Sequence, residues 1–89
     1  MKLIVQIPCY NEEKTLPMVI RDIPKRIEGI DMIGILVIND GSADNTVSVA
    51  RSLGVEHVLD LPYHRGLAEA FSRGLDKSLE LGADIIVNT

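Results

Sequence analysis

Aromatic side chains are scarce in this chain of 89 residues, which has no tryptophan, one phenylalanine and two tyrosines. Leucine, isoleucine, valine and alanine must therefore fill the core, and a hydrophobic fraction of 46% is enough to build one. A chain of this length forms one domain or part of one. At this size only about 60% of the unfolded surface is buried on folding, so the core is small.

Cysteine, positive charge and long apolar runs are scarce as well. Cys9 is the only cysteine, which rules out an internal disulfide and fits a reducing compartment. The net charge of −4 argues against a nucleic-acid partner, whose phosphates need neutralising. No apolar run approaches the roughly 20 residues that span a bilayer, and the first residues lack the apolar stretch of a signal peptide. We therefore expect a cytoplasmic chain.

Four short apolar runs alternate with three segments in which apolar residues recur at helical spacing. The runs cover residues 3–7, 33–39, 55–60 and 83–88, and the helical segments begin near Thr15, Asp44 and Leu67. This alternation predicts a single domain, residues 1–89, with a three-layer α/β fold and a parallel sheet. The elements follow one another along the chain in the order βαβαβαβ. The third run alternates apolar and polar residues and should lie at a sheet edge, whereas the fourth is apolar and should be central.

Local signals suggest where these elements begin and end. Pro8 should end the first strand because it cannot donate to a ladder, and Pro24 should end the first helix. Thr15 is placed to cap the first helix, and Ser42, Asp44 and Asn45 can each cap the second. Small residues in the third helix, Ala70 and Gly74, should let it pack closely on the sheet.

Polar loops follow the first three strands, at residues 8–13, 39–45 and 62–66. The carboxyl ends of parallel strands meet at one edge, where open α/β sheets bind ligands. We call these the rim loops; they offer Tyr10, Glu12, Asp40, Asp44, His64 and Arg65. A carboxylate such as Asp40, expected to point out of the core, can accept a hydrogen bond from uracil, guanine or ribose. Arginine beside a helix start suits a diphosphate. A nucleotide is therefore the expected ligand.

Each of these side chains also has a structural interpretation. Asp40 would then only cap the second helix, and Glu12 would favour the positive start of the first. Tyr10 would pack at the rim, and Arg65 would be a solvated charge beside Asp60. Cys9 is expected to be a small buried filler.

Three motifs then give a specific resemblance. Residues 8–13 (PCYNEE) resemble the P-x-Y-N-E motif of the family-two inverting glycosyltransferases, and residues 37–46 (VINDGSADNT) their V-[DN]-D-G-S-x-D-x-T motif. Residues 65–74 (RGLAEAFSRG) are similar to the third, glycine-containing motif. Their order and spacing fit over the whole chain, and they are most similar to those of the polyprenyl (dolichyl) phosphate mannose or glucose synthases.

The resemblance implies the Rossmann-like, nucleotide-binding half of a GT-A fold, with a UDP- or GDP-sugar as ligand. It implies Pro8, Tyr10 and Glu12 around the base and ribose, Asp40 on the base or ribose, and Arg65 near the diphosphate. Asn39 stands where many members carry aspartate, which suggests an orienting residue. His64 stands where asparagine is frequent, and the resemblance assigns it no role.

The resemblance also implies groups that this chain lacks. The D-x-D motif, which holds Mn²⁺ or Mg²⁺ against the diphosphate, is expected directly after Thr89, and the catalytic base further on. We therefore expect an amino-terminal fragment that has no catalytic residue, binds no metal tightly and is inactive alone. Its longer parent would act at the cytoplasmic face of a membrane. The open edge of strand 83–88 predicts self-association.

Two other interpretations are open at this point. The chain could be a non-catalytic α/β module that works by association through the open strand edge. A sugar-nucleotide pyrophosphorylase shares the same alternation but requires a first loop rich in glycine and arginine. Dinucleotide dehydrogenases and P-loop proteins are disfavoured because no glycine-rich phosphate loop follows the first strand.

Overall fold

The computed structural model describes residues 1–89 as four strands and three helices in strict alternation. In chain order these are β1 (Lys2–Cys9), α1 (Leu16–Asp22), β2 (Met32–Asp40), α2 (Thr46–Ser52), β3 (His57–Leu61), α3 (Leu67–Glu80) and β4 (Ile85–Asn88). All strand pairs are parallel and the sheet order is β3-β2-β1-β4. The α/β alternation predicted from the sequence is confirmed. None of the helices has the length and apolar character needed to cross a membrane.

Two hydrophobic clusters, one on each face of the sheet, make the fold three-layered. Alternate residues of a strand point to opposite faces, so β1 and β2 supply side chains to both clusters. The cluster beneath α1 and α2 contains Leu3, Val5, Ile7, Cys9, Leu16, Val37, Ala50 and Val55. The cluster beneath α3 contains Ile4, Leu36, Ile38, Leu61 and Ala70.

The two outer strands have different surroundings. β3 lies at one edge, as its alternating sequence predicts, and pairs with β2. β4 pairs with β1 over residues 85–88 and has no strand on its other side. An apolar strand therefore has an open side in this chain, and Val87 is 43% exposed there.

The proline signals had different outcomes. Pro24 marks the end of the first helix, since α1 stops at Asp22. Pro8, however, does not end β1, because it lies within the strand, opposite Ile38. The last pair between β1 and β4 is Gln6↔Asn88, so β1 has no partner at position 8 on that side. The missing N–H of Pro8 therefore removes no hydrogen bond from the ladder.

A close approach of α3 to the sheet depends on Gly74, as expected from its size. A Cβ atom there would lie 2.8 Å from Ile38 Cδ1 and 2.9 Å from Gln6 Nε2. Beneath the helix, the fully buried Gln6 accepts a 2.7 Å hydrogen bond from the hydroxyl of Ser78 through Oε1. The Nε2 atom of Gln6 is buried and has no hydrogen-bond partner. This polar contact was not predicted.

Candidate functional site

A cavity of about 210 Å³ opens at the carboxyl edge of the sheet. We call it the rim cavity; it is lined by Pro8, Cys9, Tyr10, Glu12, Asp40, His64, Leu67 and Ala70. It thus brings together four of the five residues that the sequence predicts around a nucleotide, all but Arg65. A larger apolar groove, about 420 Å³, lies between α1 and β4, where none of these five residues is found.

The carboxylate of Asp40 holds the segment that leads into α3. Its Oδ1 accepts the Arg65 N–H at 2.8 Å, and its Oδ2 accepts the Gly66 N–H at 2.9 Å. Asp40 is only 3% exposed because the third rim loop covers its carboxylate, but it lines the rim cavity. The alternative that it caps α2 is wrong, because its bonds go to the start of α3. The rim acid therefore lines the cavity and anchors a loop.

Gly41 lets two rim loops pass each other closely. Its φ is +67°, and a Cβ atom there would lie 2.3 Å from the backbone N of His64 and 2.5 Å from the carbonyl carbon of Tyr63. Any side chain would collide with backbone that cannot swing away. The turn was predicted from the sequence, but the contact with the third rim loop was not.

His64 contacts both Tyr10 and Asp40. The rings of His64 and Tyr10 are stacked, with centroids 3.9 Å apart and planes inclined by 28°. The Nδ1 atom of His64 lies 3.2 Å from the Asp40 carbonyl oxygen and 2.9 Å from Asp40 Oδ2. Both neighbours are acceptors, so Nδ1 carries the ring proton. Sequence reasoning left His64 without a role; its place before Arg65 in a rim loop was the only signal.

Reciprocal hydrogen bonds join the first rim loop to the second. The Asn11 N–H donates to Ser42 Oγ at 2.9 Å, and Asn11 Oδ1 accepts the Ala43 N–H at 2.8 Å. The Glu12 N–H donates to Thr46 Oγ1 at 3.0 Å. Asn11 adopts a φ of 55° to make these contacts. Ser42 was predicted to cap α2; its hydroxyl instead accepts a hydrogen bond from the first rim loop.

Asp44 stabilises the start of α2, as the sequence predicts. Its Oδ1 accepts the Thr46 N–H at 3.0 Å and the Thr46 hydroxyl, and its Oδ2 accepts the Glu13 N–H at 3.3 Å. The Thr46 hydroxyl is the main reason that the pKa of Asp44 lies below its usual value, and these backbone N–H groups lower it further. Asp44 is not among the residues that line the rim cavity.

The side chains of two charged candidates, Glu12 and Arg65, contact residues at the starts of α1 and α3. The carboxylate of Glu12 accepts a hydrogen bond from the hydroxyl of Thr15. Thr15 was predicted to cap α1, but its side chain makes no capping hydrogen bond. The guanidinium of Arg65 lies outside the rim cavity, with Nε 3.8 Å from Glu69 and Cζ 5.7 Å from the centre of the Tyr63 ring. Only the backbone N–H of Arg65 reaches the site.

Asn39 and Cys9 are both buried; Cys9 lines the cavity, and Asn39 is not among its lining residues. Asn39 donates to Asp60 at 2.8 Å and accepts the Ser42 N–H at 3.3 Å, which fits an orienting role. Cys9 is 2% exposed, as expected of a buried filler. Burial raises the pKa of its thiol to about 12, with smaller contributions from the charges of Glu12 and Asp44.

The side chains of this chain do not fit a metal ion. No three histidine, cysteine, aspartate or glutamate residues come together in an arrangement that could hold one. The rim cavity has two carboxylates, and one of them already binds two backbone N–H groups. No metal-dependent step is therefore assigned to these residues.

The chain is an open α/β protein. Three polar loops surround a cavity at the carboxyl edge of its parallel sheet, where proteins of this class bind their ligands. The sequence profile of glycosyl transferase family 2 matches residues 4–80. The chain belongs to this family, and its four-stranded parallel α/β sheet matches the GT-A fold of solved glycosyltransferase structures.

Relatives at the level of sequence include two enzymes named for lipid phosphates. The chain is 31% identical over 91 residues to polyprenol monophosphomannose synthase of Mycolicibacterium smegmatis, covering 97% of this chain and 33% of the enzyme. It is 31% identical over 97 residues to UDP-N-acetylglucosamine–dolichyl-phosphate N-acetylglucosaminyltransferase of Methanococcus voltae, covering 91% and 37% respectively. The chain thus spans about a third of the length of these relatives.

Among solved structures, the chain resembles glucosyl-3-phosphoglycerate synthase of Mycobacterium tuberculosis. The TM-score is 0.78 at 29% identity, over 99% of this chain and 32% of the synthase. That crystal structure holds Mn²⁺, UDP and glucosyl-3-phosphoglycerate. A second crystal structure of the synthase, with Mg²⁺ and UDP, gives the same TM-score of 0.78.

Proposed function

We propose that residues 1–89 form one unit that binds the nucleotide-diphospho-sugar donor of a glycosyltransferase. The observation that carries this proposal is the rim cavity, where Tyr10 and Glu12 of the first motif meet Asp40 of the second. In a chain of glycosyl transferase family 2, a cavity that combines apolar walls with carboxylates at the carboxyl edge of a parallel sheet is the place expected for the nucleoside.

Each lining residue has a role in this proposal. Tyr10 and Pro8 contact the base, and Glu12 accepts a hydrogen bond from a ribose hydroxyl. Asp40 accepts the ring N–H of the base through Oδ1, which receives only one hydrogen bond within the chain. Arg65 binds the diphosphate after its guanidinium leaves Glu69, and this costs little because the exposed pair is 3.8 Å apart.

The reaction of the longer protein is a further part of the proposal. We infer that it transfers a sugar from a UDP- or GDP-sugar to a polyprenyl phosphate, since one relative is named for polyprenol monophosphomannose and another for dolichyl phosphate. The proposed share of residues 1–89 is donor binding without turnover. In the longer protein, Mn²⁺ or Mg²⁺ would neutralise the leaving diphosphate. Within residues 1–89, no three metal-ligating side chains come together to hold such an ion.

Calorimetric titration with UDP and with GDP, each with and without Mn²⁺, tests donor binding. We expect one nucleotide to bind, with an affinity that Mn²⁺ barely changes. Asp40→Asn should weaken binding about tenfold or more, because a hydrogen bond to a charged group contributes about 1.5–3 kcal/mol. Glu12→Gln should weaken binding less, since its amide oxygen can still accept the ribose hydroxyl, whereas in Asp40→Asn the new NH₂ group would face one of the two backbone N–H groups that the carboxylate accepts.

Asp60→Asn is the matched control, because Asp60 bonds Asn39 beside the cavity without lining it. This variant should bind like the parent chain. Failure of both nucleotides to bind, or equal binding by the Asp40 and Asp60 variants, would contradict the proposal. A strong dependence on Mn²⁺ would mean that metal ligands lie within residues 1–89.

The open edge of β4 favours a second candidate, association with another copy of this chain. β4 has a strand on one side only, and its exposed Val87 lines the apolar groove beside α1. We expect sedimentation to show dimers that Val87→Lys weakens, because a charged side chain discourages edge pairing. Met18→Lys, an exposed position outside that groove, is the control. A monomer at high concentration would contradict this candidate.

A further inference from the structure

The two carboxylate oxygens of Asp40 differ in what surrounds them. A carboxylate has about four acceptor sites, two on each oxygen. Oδ1 accepts one hydrogen bond, from the Arg65 N–H at 2.8 Å. Oδ2 accepts the Gly66 N–H at 2.9 Å and also has the ring nitrogen of His64 2.9 Å away. Oδ1 therefore keeps one acceptor site for a ligand, whereas Gly66 and His64 occupy both sites of Oδ2.

We propose that His64 makes the rim cavity selective for uracil over guanine by covering Oδ2 of Asp40. This inference rests on the proposed function, in which Asp40 meets the base. Uracil presents a single ring N–H between two carbonyl groups, and one free acceptor satisfies it. Guanine presents a ring N–H and an exocyclic amine side by side, and this pair needs both oxygens of a carboxylate.

His64 is the only side chain with a polar atom at hydrogen-bonding distance from the Asp40 carboxylate. The other two groups there are backbone N–H groups, which a substitution at those positions does not remove. The imidazole is held in place by its stack on Tyr10, with centroids 3.9 Å apart, and by the Asp40 carbonyl oxygen at 3.2 Å. The side chain at position 64 therefore determines whether Oδ2 is covered.

The alternative is that His64 only supports the Tyr10 ring. In that case a substitution would weaken UDP and GDP binding by the same factor, because both bases stack on an aromatic ring. The ratio of the two dissociation constants separates the explanations, because only a change at Oδ2 affects the bases differently.

The test is calorimetric titration of the 89-residue chain with UDP and GDP in four variants. The parent chain should bind UDP about tenfold more tightly than GDP, the difference expected for one unmet hydrogen bond to a charged group. His64→Ala and His64→Ser should lower the ratio Kd(GDP)/Kd(UDP) about tenfold. His64→Phe keeps a ring over Oδ2 and should keep the ratio. His57→Ala, at the start of β3, is the histidine control and should change nothing.

Several outcomes would overturn the proposal. An unchanged ratio in both His64→Ala and His64→Ser would reduce His64 to a support for Tyr10. Preference of the parent chain for GDP would defeat the selectivity while leaving donor binding intact. Binding of neither nucleotide would refute the proposed function and this inference with it. Without any ligand, ¹⁵N spectra should show the His64 ring proton on Nδ1, and a proton on Nε2 alone would contradict the geometry.

Discussion

Asp40, the last residue of β2, accepts a 2.9 Å hydrogen bond from the backbone N–H of Gly66, the residue before α3. This bond joins the second motif of the sequence to the third. The acid proposed to meet the base therefore also fixes the loop beside it. Substitutions at this carboxylate should affect stability as well as binding.

Asp40→Ala should lower the free energy of unfolding by about 1.5–3 kcal/mol for each lost charge-assisted bond. Two backbone N–H groups, those of Arg65 and Gly66, lose their acceptor. Urea unfolding of this variant beside Asp60→Asn measures the effect. Equal midpoints for the two variants would show that the carboxylate does not anchor the loop.

Gly41→Ala should destabilise the chain more than Gly54→Ala. Both glycines have positive φ, +67° and +84°, so both substitutions carry backbone strain of about 1–3 kcal/mol. Only at Gly41 would the new Cβ meet backbone, 2.3 Å from the His64 nitrogen, whereas nothing lies within 4 Å at Gly54. Thermal unfolding compares the variants. Similar melting temperatures would mean that the close approach of the two loops is absent.

The buried pair beneath α3 should be replaceable by apolar residues. Ser78→Ala alone should cost about 1–3 kcal/mol, because Gln6 Oε1 then loses its only partner while Gln6 Nε2 is already without one. Adding Gln6→Met should restore most of that loss, since both polar partners are then gone. Chemical unfolding of the single and double variants gives the comparison. A double variant less stable than Ser78→Ala would contradict this account.

The thiol of Cys9 should react slowly with disulfide reagents in the folded chain. Its pKa is raised to about 12, so little thiolate is present at pH 8. In the unfolded chain the thiol ionises at its ordinary pKa. The contribution of Cys9 to stability is therefore complete below that ordinary pKa and is lost as the pH rises towards 12.

Labelling rates at pH 8, with and without denaturant, check this expectation. Cys9→Ser is the control for labelling at any other group, since the chain has one cysteine. Rapid labelling without denaturant would show that the residue is accessible and ionised.

The order and type of the elements could be predicted from the sequence because apolar runs and helical spacing alternate along it. The motifs also indicated the rim residues, and Pro8, Tyr10, Glu12 and Asp40 do line one cavity. Each of these signals is local: a run, a spacing or a short motif. Local signals describe which elements form, but they give the ends less well, since β1 continues through Pro8.

Contacts between the rim loops could not be predicted in the same way. His64 stacks on Tyr10 although 54 residues separate them in the sequence, and Asp40 bonds the segment before α3. Both contacts depend on the sheet order, which places β3 and β1 on either side of β2. The cap expected from Ser42 was misassigned for the same reason, because the first rim loop offered a competing partner. Thr15 differs, since its hydroxyl bonds the nearby carboxylate of Glu12.

The most direct test of the account is a titration of the ¹⁵N-labelled chain with UDP and GDP, followed by amide chemical shifts. If the rim cavity binds the nucleoside, the largest shifts will lie in the three rim loops, at Tyr10, Glu12, Asp40 and Gly66. Shifts concentrated at the opposite edge of the sheet, in residues 24–31, or no shifts with either nucleotide, would contradict it.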